Sequence, residues 1–362
     1  AEVLTDNELL EIRYSGKPAA FLRAFKASYF AILYNFIVMG WVINAMASVV
    51  SVMLNMDKWT AVWLCVIIAL VYAILSGFWG VVITDLVQFV IAMFGSISLA
   101  IIALNYVGGM ESLLEKLSNL VDTGIAHENT IRFIPPIPDQ SIAEISFWES
   151  PFSKFLIFIS IMWWSHHGTD GGGYIIQRMS SAKNEKHALL ATLWFNLAHY
   201  ALRVWPWIIV SVVSIVLFPI IPETYSELGT KAGYPLVMNS LLGPGMKGIL
   251  IVSFLAAFMS TIDTHLNWGA SYLINDVYKR FFKPEASEKH YVVVGKIITI
   301  ILMIFAAFTS LKMQSISKAW EFIFSMGAGI GLVLVLRWFW WRINAWTEIT
   351  ALSVSIITTT TL

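Results

Sequence analysis

The sequence predicts an all-α membrane protein of about nine transmembrane helices, and three observations carry that expectation. Of 362 residues, 58% are hydrophobic and only 13% charged, with a mean hydropathy of +0.73. A soluble domain typically carries about 25% charged residues, so too little polar surface exists to coat a water-facing globule. Apolar runs of roughly the 20 residues needed to cross hydrocarbon recur along the chain. Basic residues alternate from one connecting segment to the next. The 16 Trp and 12 Tyr suit bilayer interfaces. Zero net charge suggests neither a nucleic-acid partner nor an acidic substrate. Cys65, the single cysteine, excludes a disulfide framework and a cysteine metal cluster.

Taken in order, the apolar runs fall at about 28–55, 59–77, 80–107, 154–177, 187–220, 244–275, 290–312, 319–340 and 344–362. One set of connections holds Arg13, Lys17, Arg23 and Lys26; Arg178, Lys183 and Lys186; Lys279, Arg280, Lys283 and Lys289; and Arg337 and Arg342. The alternate connections are sparser, and the positive-inside rule places the richer set in the cytoplasm. That alternation requires 59–77 and 80–107 to be separate spans, joined around Gly77–Gly80. The polar 108–150 loop, with Pro135, Pro136 and Pro138, is then external. Met110, Leu113, Leu114 and Leu117 predict a short helix at about 110–121 within it. A second external loop is expected at about 219–243. The chain starts at Ala1 and stops in an unfinished helix at Thr358–Leu362, which reads as part of a longer protein.

An ionisable group at bilayer depth costs at least about 2.5–3.5 kcal/mol, so each needs a reason. Asp85 sits close in sequence to Thr84 and Gln88 on one side of a helix. The group is either an ion or proton site, or a polar cluster at a helix end reached by water. On the 244–275 run, Ser253, Ser260, Thr264, Asn267 and Ser271 share one narrow stripe at 100° per residue, flanked by Ala257 and Asp263. Thr261 lies one step further round. Tight packing through small residues explains the Ser and Ala, but it explains Asp263 and Asn267 poorly. A stripe facing the bundle interior explains all of them.

The run at 154–177 contains Ser165-His166-His167-Gly168-Thr169-Asp170-Gly171-Gly172-Gly173. Each glycine weakens a helix by about 1 kcal/mol relative to Ala. A broken helix at membrane depth occurs where it lines a cavity or is buried in protein, and transporters use such breaks to bind solutes. Metal ligation by His166, His167 and Asp170, or a helix end facing the cytoplasm, are the other readings. Arg203 on the 187–220 run is expected to pair with a carboxylate or carbonyls, near a kink at Pro206.

Ser260-Thr261-Ile262-Asp263-Thr264-His265-Leu266-Asn267-Trp268, followed by Asn275-Asp276-Val277-Tyr278-Lys279, resembles the eighth core helix of the sodium/solute symporter family. Gly80 to Gln88 is similar to its fifth, and Tyr174-Ile175-Ile176-Gln177-Arg178 to the end of its sixth. Leu9–Arg23, with Glu11-Ile12-Arg13-Tyr14, resembles the loop after its second. The resemblance covers essentially the whole chain in order. It implies the five-plus-five inverted-repeat fold of the leucine transporter, with 1–107 the remainder of the first repeat, 108–153 an external loop, 154–340 the second repeat and 341–362 the start of an additional helix. Core helices one and two are absent.

The resemblance also implies sodium as coupling ion, no organic cofactor, a small-molecule solute, and a multi-pass position in the cell membrane, with the lipid bilayer and no nucleic acid as partners. Ala257 takes the family's carbonyl-donor position, Ser260 and Thr261 its two hydroxyl positions, and Asp85 its acidic position on the fifth helix. The first core helix, which supplies carbonyls to the same site, is missing. Ser165 stands at the sugar-contacting Asn and Gly168 at the inner-gate Tyr, departures that put a galactose-like substrate in doubt. Ser165, His166, Thr169, Asp170 and Asn267 are the candidate substrate contacts. The expected function is sodium-driven import of a small polar solute, a sugar, amino acid or carboxylate, by alternating access. A transporter-like membrane sensor and a membrane-embedded metalloenzyme are the competing readings.

Overall fold

The computed structural model describes residues 5–75, 78–126, 130, 132–137, 146–162, 168–169 and 172–361, with backbone only at 75, 78–81 and 162. The described residues form helices and turns and contain no strand. A short α1 (Glu8–Arg13) precedes the long α2 (Gly16–Leu54), which loosens into a wide turn at Tyr29–Tyr34. α3 (Lys58–Leu75), α4 (Phe78–Val107) and α5 (Gly109–Asp122) follow. α6 (Pro151–Ile157) runs on through a wide turn at Phe158–Met162, and the next helix described is α7 (Gly173–Ser180). Then come α8 (Glu185–Leu217), α9 (Gly233–Leu241), α10 (Pro244–Phe282) and α11 (Glu288–Lys312). α12 (Ile316–Gly327), α13 (Gly331–Phe339) and α14 (Ala345–Thr361) complete the chain.

Local chemistry sets these limits. Side chains of Ser150, Asn184, Ser287 and Ser315 each accept a backbone N–H at the start of α6, α8, α11 and α12, satisfying donors a helix start leaves open. Asn55 ends α2 in the left-handed conformation at φ 51°, a common helix stop. Among the described residues, six helical stretches are long and apolar enough to cross a membrane, and two more, Lys58–Ile74 and Pro151–Ile161, are apolar but shorter.

The expected spans at 59–77 and 80–107 are two helices, α3 and α4, and the short helix near 110–121 is α5, with Leu113 and Leu117 buried. Three boundaries differ. α2 begins at Gly16, well before the apolar run, because its first turns bury Arg23 and Lys26 against carboxylates rather than lipid. The expected loop at 219–243 is helical, as Leu228, Ala232 and Leu236 bury against Val52 of α2. The 319–340 run is interrupted between α12 and α13 around Gly329, where a Cβ would lie 3.1 Å from Ser355 Cβ on α14.

The core joins α2, α3, α4, α8, α10 and α11 through Met39, Ile43, Val62, Leu99, Val210, Leu250, Ile262, Leu266 and Met303. Where α4 crosses α10, Gly95 faces Ser253 and Leu250, and a Cβ there would lie 3.0 Å from Ser253 Cβ. At the end rich in basic residues, Asp276 on α10 is fully buried. It accepts hydrogen bonds from Thr5 Oγ1 (2.8 Å), Asn7 Nδ2 (3.2 Å) and Arg23 Nε (2.7 Å). The same guanidinium reaches Glu11 at 2.8 Å and Glu8 at 3.0 Å. One arginine thus fastens the segment before α2 to the end of α10.

Two expected outcomes follow, both read from thermal unfolding of the complete protein in detergent. Gly95→Val lowers stability by about 1–3 kcal/mol through overpacking, whereas Gly248→Ala, with nothing within 4 Å of the new methyl, does not. Arg23→Ala costs about 3–5 kcal/mol because it strands a buried carboxylate. A native melting temperature for it would show that Asp276 is compensated otherwise.

Candidate functional site

The site is built on the middle of α10. Ala257, Ser260, Thr261 and Thr264 follow the i, i+3, i+4, i+7 spacing that puts side chains on one helix face. The other face is buried at Phe258, Ile262 and Leu266. Ala257 is exposed, and Ser260, Thr261 and Thr264 are half-buried. Thr261 Oγ1 donates to the Ala257 carbonyl at 3.0 Å. Two oxygens are thereby held side by side on an open face, with Ser260 Oγ adjacent. Ser260 Oγ donates to Asp85 Oδ1 on α4.

The second oxygen of Asp85 is also engaged. Arg178 Nη2 on α7 lies 3.3 Å from Asp85 Oδ2 and donates to Thr264 Oγ1 at 2.8 Å. Arg178 Nη1 donates back to the Tyr174 carbonyl at 3.3 Å. One carboxylate therefore joins three helices, and the pair is only partly covered by protein, with Asp85 23% and Arg178 33% exposed. α7 can come this close because it begins with glycine. A Cβ at Gly173 would collide with the Tyr272 hydroxyl and the Trp268 indole nitrogen of α10.

The remaining polar stripe divides its work. Ser253 donates to the Ile91 carbonyl at 3.0 Å, Asn267 donates to Asp263 Oδ1 at 2.9 Å, and Asn275 donates to the Ser271 hydroxyl at 3.1 Å. Thr84 meets Tyr72 of α3 while Asp85 faces α10, so the expected Thr84–Asp85–Gln88 group is split between two neighbours. Thr169 is half-buried in a turn with Gly168. Ser165, His166, His167 and Asp170 lie outside the described residues. Arg203 meets neither a carboxylate nor a carbonyl among the described residues. Its guanidinium lies 4.8 Å from the centre of the Trp207 ring one turn on, a cation–π contact.

Sequence reasoning passed over two partnerships. Arg178 entered only as a topological charge and part of a motif, and nothing in its spacing names Asp85. Asn35, fully buried after the wide turn in α2, donates through Nδ2 to the His265 carbonyl at 2.9 Å, and its Oδ1 lies 2.7 Å from His265 Nδ1. Rings of Tyr34, Tyr174 and Trp268 surround His265, with centroids 5.7–6.3 Å away. An Asn between Tyr34 and Phe36 in an apolar run was the signal available.

A family model described as the sodium:solute symporter family matches residues 1–357. Sodium/glucose cotransporter 1 of Oryctolagus cuniculus is 26% identical over 369 residues, covering 95% of this chain and 54% of the relative. A sodium/mannose cotransporter of Bos taurus is 24% identical over 366 residues, covering 95% of this chain and 59% of the relative. The chain thus spans little more than half the length of these curated relatives. Among solved structures, a substrate-bound, outward-open Na+-coupled sialic acid symporter superposes with a TM-score of 0.63 at 18% identity, covering 99% of this chain and 77% of that one. The architecture is that leucine-transporter-like helical bundle.

Asn35→Ala leaves the buried His265 groups unmet and costs about 1–3 kcal/mol. In a double-mutant cycle with His265→Ala, thermal unfolding of the complete protein shows a coupling of about 0.5–3 kcal/mol. Strict additivity would mean the two residues act separately.

Proposed function

Because the chain belongs to the sodium:solute symporter family, we propose that it is the core of a sodium-coupled symporter that imports a small polar solute by alternating access. The observation that carries this reading is the open face of α10. There the Ala257 carbonyl, the Ser260 hydroxyl and the Thr261 hydroxyl lie together, with the Asp85 carboxylate on Ser260. Sodium is a hard cation, and hard cations are held by neutral and anionic oxygens. Both hydroxyls donate their protons sideways, to Asp85 and to Ala257, which leaves oxygen lone pairs for an ion. Three oxygens are fewer than such a cation gathers. On this reading the rest come from a helix outside the 362 residues, matching the family's first core helix.

Asp85 is the accessory acid, offering negative charge at the edge of the site. The solute is received at the interruption between α6 and α7, where Ser165, His166, Thr169 and Asp170 fall, with Asn267 of α10 as a further contact. Half-helix ends and unwound backbone present unpaired polar groups at such breaks. Residues 1–107 complete a first repeat and 154–340 form the second, separated by the 108–153 segment. Rocking of one against the other exposes ion and solute to each side in turn. Coupling follows if both ligands favour the same conformation, because a ligand shifts an equilibrium only by its differential affinity. Relatives named for glucose and mannose make sugars the first solutes to test. No organic cofactor enters the scheme.

The test is uptake of labelled sugars, amino acids and carboxylates by the complete protein in vesicles, with and without sodium. Ser260→Ala and Thr261→Ala each reduce sodium stimulation by about tenfold or more, the loss of roughly 1.4 kcal/mol of ion binding. Unchanged sodium dependence in both variants overturns the assignment.

A further inference from the structure

The engagement of Asp85 by Arg178 lies outside the ion-binding scheme and constrains it. α10 runs from Pro244 toward the basic end at Lys279 and Arg280, the end that the alternation of basic charge assigns to the cytoplasm. Thr264 is one turn beyond Ser260 in that direction, about 6 Å along the axis. Arg178 therefore stands between the ion half-site and the end from which an imported ion leaves. Its guanidinium holds Asp85 Oδ2 at 3.3 Å and Thr264 Oγ1 at 2.8 Å, while Ser260 holds Asp85 Oδ1. The α10 face thus carries a row of oxygens, Ala257, Thr261, Ser260 and Thr264, with a protein-borne cation already seated at its inner end.

We propose that Arg178 is a tethered cation that competes with sodium for Asp85. This inference rests on the sodium reading given above. A sodium ion drawn from Ser260 and Thr261 toward Asp85 approaches a carboxylate whose other oxygen is held by a guanidinium. Two unit positive charges a few ångströms apart repel, and at a partly exposed site the effective dielectric leaves that repulsion substantial. Full engagement of Arg178 and full occupancy by sodium therefore exclude one another. Arg178 sits on α7, after the glycine-rich segment, and Asp85 and Thr264 sit on α4 and α10. The competition consequently links ion occupancy to the position of α7. When sodium is bound, α7 is released from α4 and α10. When sodium leaves, Arg178 reoccupies Asp85 and neutralises the empty site. Arg178 is a positioning residue here, and it touches the ion only through the carboxylate they share.

The experiment is sodium-dependent uptake by the complete protein in proteoliposomes, using whichever solute the uptake screen identifies. Half-saturating sodium and maximal rate are measured separately. Arg178→Gln lowers half-saturating sodium by about tenfold, within the range usual for coupled sites, and lowers the maximal rate because release loses its competitor. Arg178→Lys, which keeps the charge, restores most of the native balance. Thr264→Val, which removes one tether and leaves Asp85 intact, lowers half-saturating sodium by a smaller factor, and it carries the test if Arg178→Gln does not fold. Thermal stabilisation by sodium alone, without solute, moves with the same ranking. Half-saturating sodium that is unchanged or raised in Arg178→Gln and Thr264→Val, or a Lys variant that behaves like Gln, overturns the proposal. If Ser260→Ala and Thr261→Ala still respond fully to sodium, the sodium reading itself fails. If they lose the response while Arg178→Gln keeps native half-saturation, only the competition fails.

Discussion

Hydrocarbon offers no hydrogen bonds, so each polar group this chain carries inward has to meet its needs within the protein. That requirement explains the helices, which close their backbone bonds internally. It also explains where the helices touch. Asn44 of α2 donates to the Ser310 and Met313 carbonyls at the end of α11 at 3.0 and 3.1 Å, relieving the orphan acceptors of a helix terminus. Asn35 meets His265, Asp276 meets Arg23, and Asp85 meets Ser260 and Arg178. Each of these links lies between helices far apart in sequence. Apolar packing brings the helices together, and the polar links fix their register, since a slip would strand buried donors or acceptors.

Two of the departures from regular helix sit beside these links. Wide turns occupy Tyr29–Tyr34 next to Asn35 and Leu273–Phe282 around Asp276. Such turns are frequent at functional sites. Here they loosen the backbone where side-chain bonding is densest, so the polar groups hold shape that the main chain alone would not. Gly172, at φ 69°, leads into α7.

Most of the fold was legible in the sequence because bilayer thickness sets span length and hydropathy reports it. The apolar runs found α3, α4 and α11 within a few residues, and the start of α10, whose last turns run on past the apolar stretch. They missed the early start of α2, because Arg23 and Lys26 look like surface charges until their carboxylate partners arrive from elsewhere in the chain. They missed the helical character of 223–241, because its burial depends on contacts with α2. The site was half legible. Ala257, Ser260 and Thr261 share a face by spacing alone, and the structure sets them together. The junction with Arg178 was not legible, since no period links residues 85, 178 and 260. Only the way the helices cross does that.

Gly173 gives α7 an unusual mechanical character. With no side chain, it rests directly against Trp268 and Tyr272, so this end of α7 lies backbone-on against α10, with Tyr174 packed on Trp268 and His265 beside it. Arg178 lies five residues further along, about 7.5 Å by helical rise. The segment is therefore a short lever with its fulcrum at the glycine. A tilt of about 20° swings the arginine end by about 2.5 Å on that arm, comparable with the whole 3.3 Å separation from Asp85. A small angular adjustment at the fulcrum is enough to make or break the ion pair, and a bulky residue at 173 would move the pivot before it changed anything at the site.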